Sequence, residues 1–213
     1  MDLKLNSELA KSADNIAAGI KETGKYVGTI TRAEFLHART GTKGLGLSFK
    51  TDTGLTADYL DLYHTKDNGE QLSGLKTVNA ILCCAKVADA RQGRIKVEKW
   101  NNEKKARETV EVDGYPELMG KRIGLLLQKV LETDDQSKDR ERLQIFAVFS
   151  AETELTASEM YAKKTNPERL SLMLEALLAR PILDKRNKKG GASRSSDSAG
   201  ADRFDDMPDD CPF

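Results

Sequence analysis

The feature that most constrains this chain is a series of segments whose side chains alternate with a period of two, the spacing of a β-strand with two different faces. The first segment runs from about Tyr26 to Phe35 and is rich in β-branched residues. Two more, Leu45 to Thr51 and Leu55 to Tyr63, are joined by Asp52-Thr53-Gly54, whose glycine suits a tight hairpin. We therefore predict a meander of three strands.

Four later segments show the same alternation. Residues 95–100 and 107–112 flank the charged sequence NNEKK and predict a second hairpin. Residues 122–131 and 143–150 are separated by the polar stretch 134–139 and predict the last two strands.

Helical signals lie at the start, in the middle and at the end of the chain. Residues 1–23 carry apolar side chains on one helical face and reach a stop at Gly24. A short helix is predicted to begin at Ser73, capped by the serine hydroxyl. Thr156 and Glu159 have the spacing of a capping box and predict a further helix.

A leucine-rich helix follows, with Asn166 as its predicted cap and Pro167 in its first turn. Its apolar face (Leu170, Met173, Leu174, Leu177 and Leu178) is expected to cover the strands, with a subunit contact and a homo-oligomer as the alternative.

This order of elements predicts a mainly β fold with added helices. Three strands, a helix and then further strands is the order of an OB-type five-stranded β-barrel, here with an added hairpin and C-terminal helices. A split β-sandwich or an α+β sheet would give a similar order. The predicted domain spans residues 24–183, preceded by the N-terminal helical segment 1–23.

The C-terminal part of the chain separates opposite charges. Residues 184–200 form a basic linker rich in glycine and serine, and residues 201–213 carry five aspartates against Arg203. With almost nothing apolar to bury, this tail is predicted to be disordered. Its last residue, Phe213, would place an aromatic ring beside a carboxylate, a pair suited to an apolar pocket rimmed by basic residues. A merely solubilising acidic end is the alternative.

The sequence DDMPDDCPF at the end resembles the Asp-Asp-x-Ile-Pro-Phe tip of bacterial single-stranded DNA-binding proteins. The matching residues are Asp209, Asp210, Pro212 and Phe213, and the resemblance implies that they bind partner proteins of replication, recombination or repair. Cys211 departs from that pattern, because it is smaller than the aliphatic residue it replaces, so partner affinity could be lower.

The body of the chain, roughly residues 20–160, is similar to phage and prophage single-stranded DNA-binding proteins, which are also OB-like. The similarity is carried by the segments GKYVGTITRAEF, GTKGLGLSF and YPELMGKRIGLLLQ. It implies sequence-independent binding of single-stranded DNA in a bacterial or phage-infected cytoplasm.

Single strands are held by cations that follow the backbone and by aromatic rings that stack on bases. The window 91–107 combines Trp100 with seven basic residues and only two acidic ones. A second group of candidates lies on the first three predicted strands. The candidate DNA-binding residues are Lys25, Tyr26, Arg32, Lys43, Phe49, Lys50, Tyr59, Arg91, Arg94, Lys96, Lys99, Trp100, Lys104, Lys105 and Arg107. The alternative is that these basic residues are merely solvated and the aromatics belong to the core.

Other classes of function receive little support from the residues. The chain has two histidines and three cysteines without metal-ligand spacing, so neither a zinc site nor another cofactor is predicted. Asp58 and Asp61 are expected on opposite faces of one strand, which argues against a shared metal and a nuclease. No apolar stretch reaches membrane-spanning length, so we expect no membrane partner.

We therefore expect a binding protein and not an enzyme, one that coats and protects single-stranded DNA while its tip recruits other proteins. A strand-annealing or recombination-mediator protein is the main alternative, and an adaptor without DNA affinity is another.

Overall fold

The computed structural model describes residues 19–101, 106–134 and 137–186. Within these ranges the chain forms eight strands and three helices. Their bounds are β1 (Gly24–His37), β2 (Lys43–Thr51), β3 (Thr56–Thr65), α1 (Gly74–Cys84), β4 (Gly93–Asn101), β5 (Ala106–Gly114), β6 (Arg122–Thr133), β7 (Asp139–Phe149), α2 (Ala157–Tyr161), α3 (Arg169–Ala179) and β8 (Ile182–Asp184), with a 3-10 helix at Pro116–Leu118.

The long strand β1 organises the sheet because it pairs along both edges. It pairs antiparallel with β2 over residues 28–37, and its first half pairs with β6 from Gly24↔Leu127 to Thr29↔Arg122. The β4–β5 hairpin joins β1 through the pairing of Glu34 with Gly114. The short strand β8 lies parallel to the second half of β6.

The paired strands run in the order β3-β2-β1-β6-β7 and form one open, largely antiparallel sheet. Within the described residues β3 and β7 do not pair with each other, so the predicted closure into a barrel is not confirmed. Helix α1 packs near both edge strands, and a cavity of about 300 Å³ is lined by residues of all three elements. The coarser prediction, a mainly β fold with added helices, is confirmed.

Two apolar clusters hold the sheet together. The larger lies on one side of the sheet and contains side chains from β2, β3, β6 and α1, among them Leu47, Leu60, Ile81 and Ile123. The smaller lies on the other side of β6, where Leu126 and Phe149 meet Leu170 and Leu177 of α3. Strand β6 is therefore buried on both faces, and the leucine-rich helix covers the sheet as predicted. Leu178, predicted on the same face, is 55% exposed.

All seven predicted strands are present, most of them longer than predicted by one to four residues at an end, whereas β8 was not predicted. The prediction of a helix that ends at Gly24 is wrong for residues 19–23. Gly19 instead forms a parallel bridge with Thr56, and the Ile20 N–H donates to the Thr56 carbonyl at 2.7 Å. The rest of the N-terminal segment 1–23, namely residues 1–18, lies outside the described residues, as do hairpin residues 102–105.

Two predicted helix caps are also corrected. Ser73 precedes α1, but its own backbone is helical and its hydroxyl makes no capping hydrogen bond. Helix α3 begins later than predicted, with Glu168 and not Asn166 as its N-cap. None of the described helices is both long and apolar enough to cross a membrane.

Candidate nucleic-acid interface

The outer face of β2 is lined by small residues. Leu45, Leu47 and Phe49 point into the core and are each 1% exposed, so the alternating residues Gly44, Gly46 and Ser48 lie on the opposite face. A Cβ atom on Gly46 would come within 2.8 Å of the Arg32 guanidinium. The missing side chain therefore makes room for Arg32 across this face.

A cleft lies between this face and the β4–β5 hairpin, and we call it the hairpin cleft. One end has a volume of about 500 Å³ and is lined by residues that include Tyr59, Asp61 and Lys99. The other end, of about 380 Å³, is lined by residues that include Lys50 and Lys96. Arg32, Ser48, Asp58 and Glu98 line both ends. Each volume lies in the range typical of small-molecule sites, roughly 300 to 1,000 Å³.

A β-bulge in β3 places an aromatic ring in this cleft. The register with β2 shifts between Leu47 and Phe49, and Tyr59 adopts the left-handed conformation, with φ at +59°. Bulges re-aim side chains, and here the Tyr59 side chain is 69% exposed while Leu60 turns into the core.

The same bulge corrects the prediction for the two aspartates of β3. Strict alternation would place Asp58 and Asp61 on opposite faces, but the extra residue at Tyr59 changes the phase of the strand. Both carboxylates consequently line the same end of the hairpin cleft.

Arg32 is buried at the centre of the cleft, with 8% of its surface exposed. Its guanidinium carbon lies 5.3 Å from the centroid of the Tyr59 ring, a cation–π distance. Its contacts with carboxylates are long, 3.5 Å from Nη2 to Asp61 and 3.6 Å from Nε to Glu34. The Nε atom has no hydrogen-bond partner among the described residues.

The carboxylates of the cleft differ in how firmly they are held. Glu34 accepts a hydrogen bond from Lys99 Nζ at 2.7 Å, which ties the hairpin to β1. Among the described residues, the one hydrogen-bond contact of Asp61 is its long one to Arg32. Burial raises the pKa of the Asp61 carboxyl, an effect that Arg32 opposes. Lys50 and Lys96 are exposed and form no ion pair with a described residue.

Five of the predicted DNA-binding residues thus meet in one cleft: Arg32, Lys50, Tyr59, Lys96 and Lys99. Phe49 is a correction, because its ring lies in the core at 1% exposure and cannot stack on a base. Lys25 and Tyr26 lie elsewhere. Lys25 Nζ is 2.5 Å from Glu154, and the half-buried Tyr26 donates its hydroxyl hydrogen to the Glu22 carbonyl.

The remaining predicted cations surround the cleft or fall outside the description. Arg91 and Arg94 are exposed and each lies 3.0 Å from an aspartate, Asp89 and Asp113 respectively. Lys43 is exposed at the start of β2. The side chains of Trp100, Lys104, Lys105 and Arg107 lie outside the described residues, as do those of the tip residues Asp209, Asp210, Pro212 and Phe213.

Sequence reasoning missed two features of this surface. One is the exposure of Tyr63, which is not among the predicted DNA-binding residues. This side chain is 43% exposed and packs against Gly44, where a Cβ atom would lie 3.0 Å from the tyrosine ring. The other is the set of acidic side chains in the cleft. The alternation Gly-Leu-Gly-Leu-Ser in β2 is the sequence signal for the first feature, because it leaves one face of a strand without large side chains.

The described residues contain no group of three or more His, Cys, Asp or Glu side chains that could hold a metal ion. What the cleft offers is an aromatic face, unpaired cations and hydrogen-bond acceptors.

Comparison with known proteins adds no identity to this geometry. No protein-family model matches the chain, and no curated protein matches it.

Proposed function

We propose that this protein binds single-stranded DNA without strict sequence preference, with the strand held in the hairpin cleft. It would coat exposed strands during replication, recombination or repair. Its acidic C-terminal tip, which lies outside the described residues, would recruit partner proteins through Phe213 and the aspartates before it.

The observation that carries this proposal is the Tyr59 ring. It is largely exposed, and Arg32 lies at one of its faces. A tyrosine on an open sheet face offers a flat surface on which any base can stack, and stacking of this kind does not depend on sequence. The neighbouring Arg32 makes a cation–π contact with this ring.

The cations at the other end of the cleft support the same function. Lys50 on β2 and Lys96 on β4 lie on opposite sides of the cleft and have no ion-pair partner among the described residues. Unpaired ammonium groups attract phosphates and release counterions when a strand binds. The cleft therefore combines a stacking end with a cationic end.

The arrangement of elements also favours an OB-type architecture as the finer description of the fold. The chain order of three meander strands, α1 and two closing strands, with β1 paired to both β2 and β6, is the order expected of that barrel. The β4–β5 hairpin is then an insertion that adds a wall to the binding face.

The test is a fluorescence-anisotropy titration of a labelled single-stranded oligonucleotide with wild-type protein and variants. Tyr59→Ala should weaken binding roughly tenfold, because a stacked base contributes about 1 to 3 kcal/mol. Tyr161→Ala is the matched control, since this tyrosine is 80% exposed but lies on α2 and does not line the cleft. Equal losses in the two variants, or no binding by the wild type at low salt, would refute the proposal.

The same titration at several salt concentrations tests the cationic end. Replacing Lys50 and Lys96 together by alanine should reduce the slope of log affinity against log salt by about 1.4, since each phosphate neutralised on a single strand contributes about 0.7. An unchanged slope would place the phosphates on another surface.

A further inference from the structure

The two ends of the hairpin cleft differ in charge. The end that contains Tyr59 is lined by the carboxylates of Glu34, Asp58, Asp61 and Glu98 against the cations of Arg32 and Lys99. The other end carries Arg32, Lys50 and Lys96 against Asp58 and Glu98. A polyanion would be repelled from the first end, so phosphates and bases should occupy different parts of the cleft.

Two carboxylates at the acidic end have acceptor capacity to spare. Asp58 has no hydrogen bond or ion pair with a described residue, and Asp61 has only its 3.5 Å contact with Arg32. Asp58 directly precedes Tyr59 in the bulge, Asp61 follows it by two residues, and both line the same end of the cleft. Ionised carboxylates accept hydrogen bonds and donate none, so the groups that suit them are N–H donors.

Arg32 supplies an independent sign that this end is built for a ligand. The side chain is nine-tenths buried, lines the cleft, and leaves Nε without a hydrogen-bond partner among the described residues. A buried polar atom without a partner costs free energy, and beside a cleft a bound ligand can supply the missing acceptor. Arg32 covers one face of the Tyr59 ring, and the ring's 69% exposure leaves surface for stacking.

We propose that a base stacked on Tyr59 presents its polar edge to Asp58 and Asp61, so that the protein prefers bases with an exocyclic amino group. Cytosine offers its N4 amino group and adenine its N6 amino group, whereas thymine and uracil present a carbonyl oxygen at the corresponding position. A carboxylate accepts from the amino group and repels the carbonyl. This inference rests on the proposed function, and it adds a base preference to what would otherwise be sequence-independent binding.

A binding titration that compares oligo(dC) with oligo(dU) of equal length, at pH 7.5 and low salt, tests this preference. These two pyrimidines have the same size and differ in the amino or carbonyl group at C4 and in the associated N3 proton. Wild-type protein should bind oligo(dC) roughly tenfold tighter than oligo(dU), the discrimination expected of one good contact between a side chain and a base edge. Equal affinity, or a preference for oligo(dU), would overturn the inference and leave the proposed function intact.

Asp61→Asn tests the assignment to this carboxylate. The amide can accept from cytosine or donate to uracil, so the two affinities should converge, mainly because binding of oligo(dU) improves. Asp58→Asn is the second variant, used if Asp61→Asn fails to fold.

Glu175→Gln is the control, because it removes one negative charge from an exposed position on α3. Convergence in the control as well would mean that total charge, and not Asp61, sets the preference. Failure of the wild type to bind either oligonucleotide would instead refute the proposed function itself.

Discussion

Glu159 is a buried carboxylate, 1% exposed, that joins the two C-terminal helices. Its Oε2 accepts hydrogen bonds from the backbone N–H and the hydroxyl of Thr156, and its Oε1 accepts from the backbone N–H groups of Glu168 and Arg169 at the start of α3. Burial alone raises the pKa of Glu159, but the four hydrogen bonds outweigh burial and lower it to about 2. The ionised form is therefore the one that stabilises the fold.

Replacing this carboxylate should destabilise the protein in a pH-dependent way. Glu159→Gln puts an amide NH₂ against N–H or hydroxyl donors. We expect the free energy of unfolding to fall by about 2 kcal/mol at pH 7, which is the cost of leaving buried donors unpaired. Because the folded-state pKa is below the unfolded value, the stabilisation is present above about pH 4.5 and is lost as the pH falls toward about 2. Thermal melts of both proteins at pH 7 and pH 3 measure this difference.

The difference in melting temperature between the wild type and Glu159→Gln should be smaller at pH 3 than at pH 7. Glu175→Gln, an exposed change on the next helix, α3, should show little loss of stability at either pH. A gap that stays constant with pH would mean that the carboxylate charge does not act as described.

Only some of the contacts of Glu159 can be predicted from the sequence. The spacing of Thr156 and Glu159 predicts the capping box, because both partners lie within one helical turn. The contacts to Glu168 and Arg169 depend on how the next helix docks, which no local pattern specifies. The bulge at Tyr59 was equally beyond local reasoning, since the segment ADYLDLY reads as a regular strand.

Among the elements, the β4–β5 hairpin depends on a close approach of two backbones. Gly114 at its end pairs with Glu34 of β1, and a Cβ atom there would come within 2.4 Å of the Ala33 carbonyl oxygen and of the Ile95 side chain. Only glycine fits this junction without movement of the hairpin. Since the hairpin is one wall of the cleft, its attachment links stability to binding.

Gly114→Ala should therefore weaken both properties. The clash should cost about 1 to 3 kcal/mol of stability, as overpacking at a tight contact does, and displacement of the hairpin should lower affinity for single-stranded DNA. Chemical denaturation and the oligonucleotide titration measure the two effects. Gly19→Ala is the matched control, because the nearest atom to its Cβ would be 3.7 Å away. A stable Gly114→Ala protein with unchanged affinity would contradict this account of the junction.

Element existence was predictable from the sequence, whereas element pairing was not. Period-two alternation identified seven strands, because most of them have one face in the core and one outside, although β6 is buried on both faces. The pairing of β1 with β6 joins residues about a hundred positions apart and leaves no local trace. The strand β8 has only three residues, too few for a periodic signal.

At the scale of the whole molecule, similar aromatic residues have different roles, because some lie in the core of the sheet and others lie in the hairpin cleft. Phe49 illustrates the limit of sequence reasoning, since an aromatic residue beside lysines matches both a stacking platform and a core position, and only the phase of β2 decides between them. Tyr59 was chosen on the same grounds and does lie on the surface, but through a bulge that the sequence did not indicate. The charge pattern of the cleft depends on four strands, β1 to β4, being brought together.

In the binding mode that we propose, a single strand lies in the hairpin cleft with a base on Tyr59. The most direct measurement is photo-crosslinking of the protein to an oligonucleotide containing 5-iodo-deoxycytidine, followed by mass spectrometry of the crosslinked peptides. The account predicts a crosslink on the β3 peptide that contains Tyr59. Crosslinks confined to other exposed aromatics, such as Phe146 on β7 or Tyr161 on α2, would contradict it.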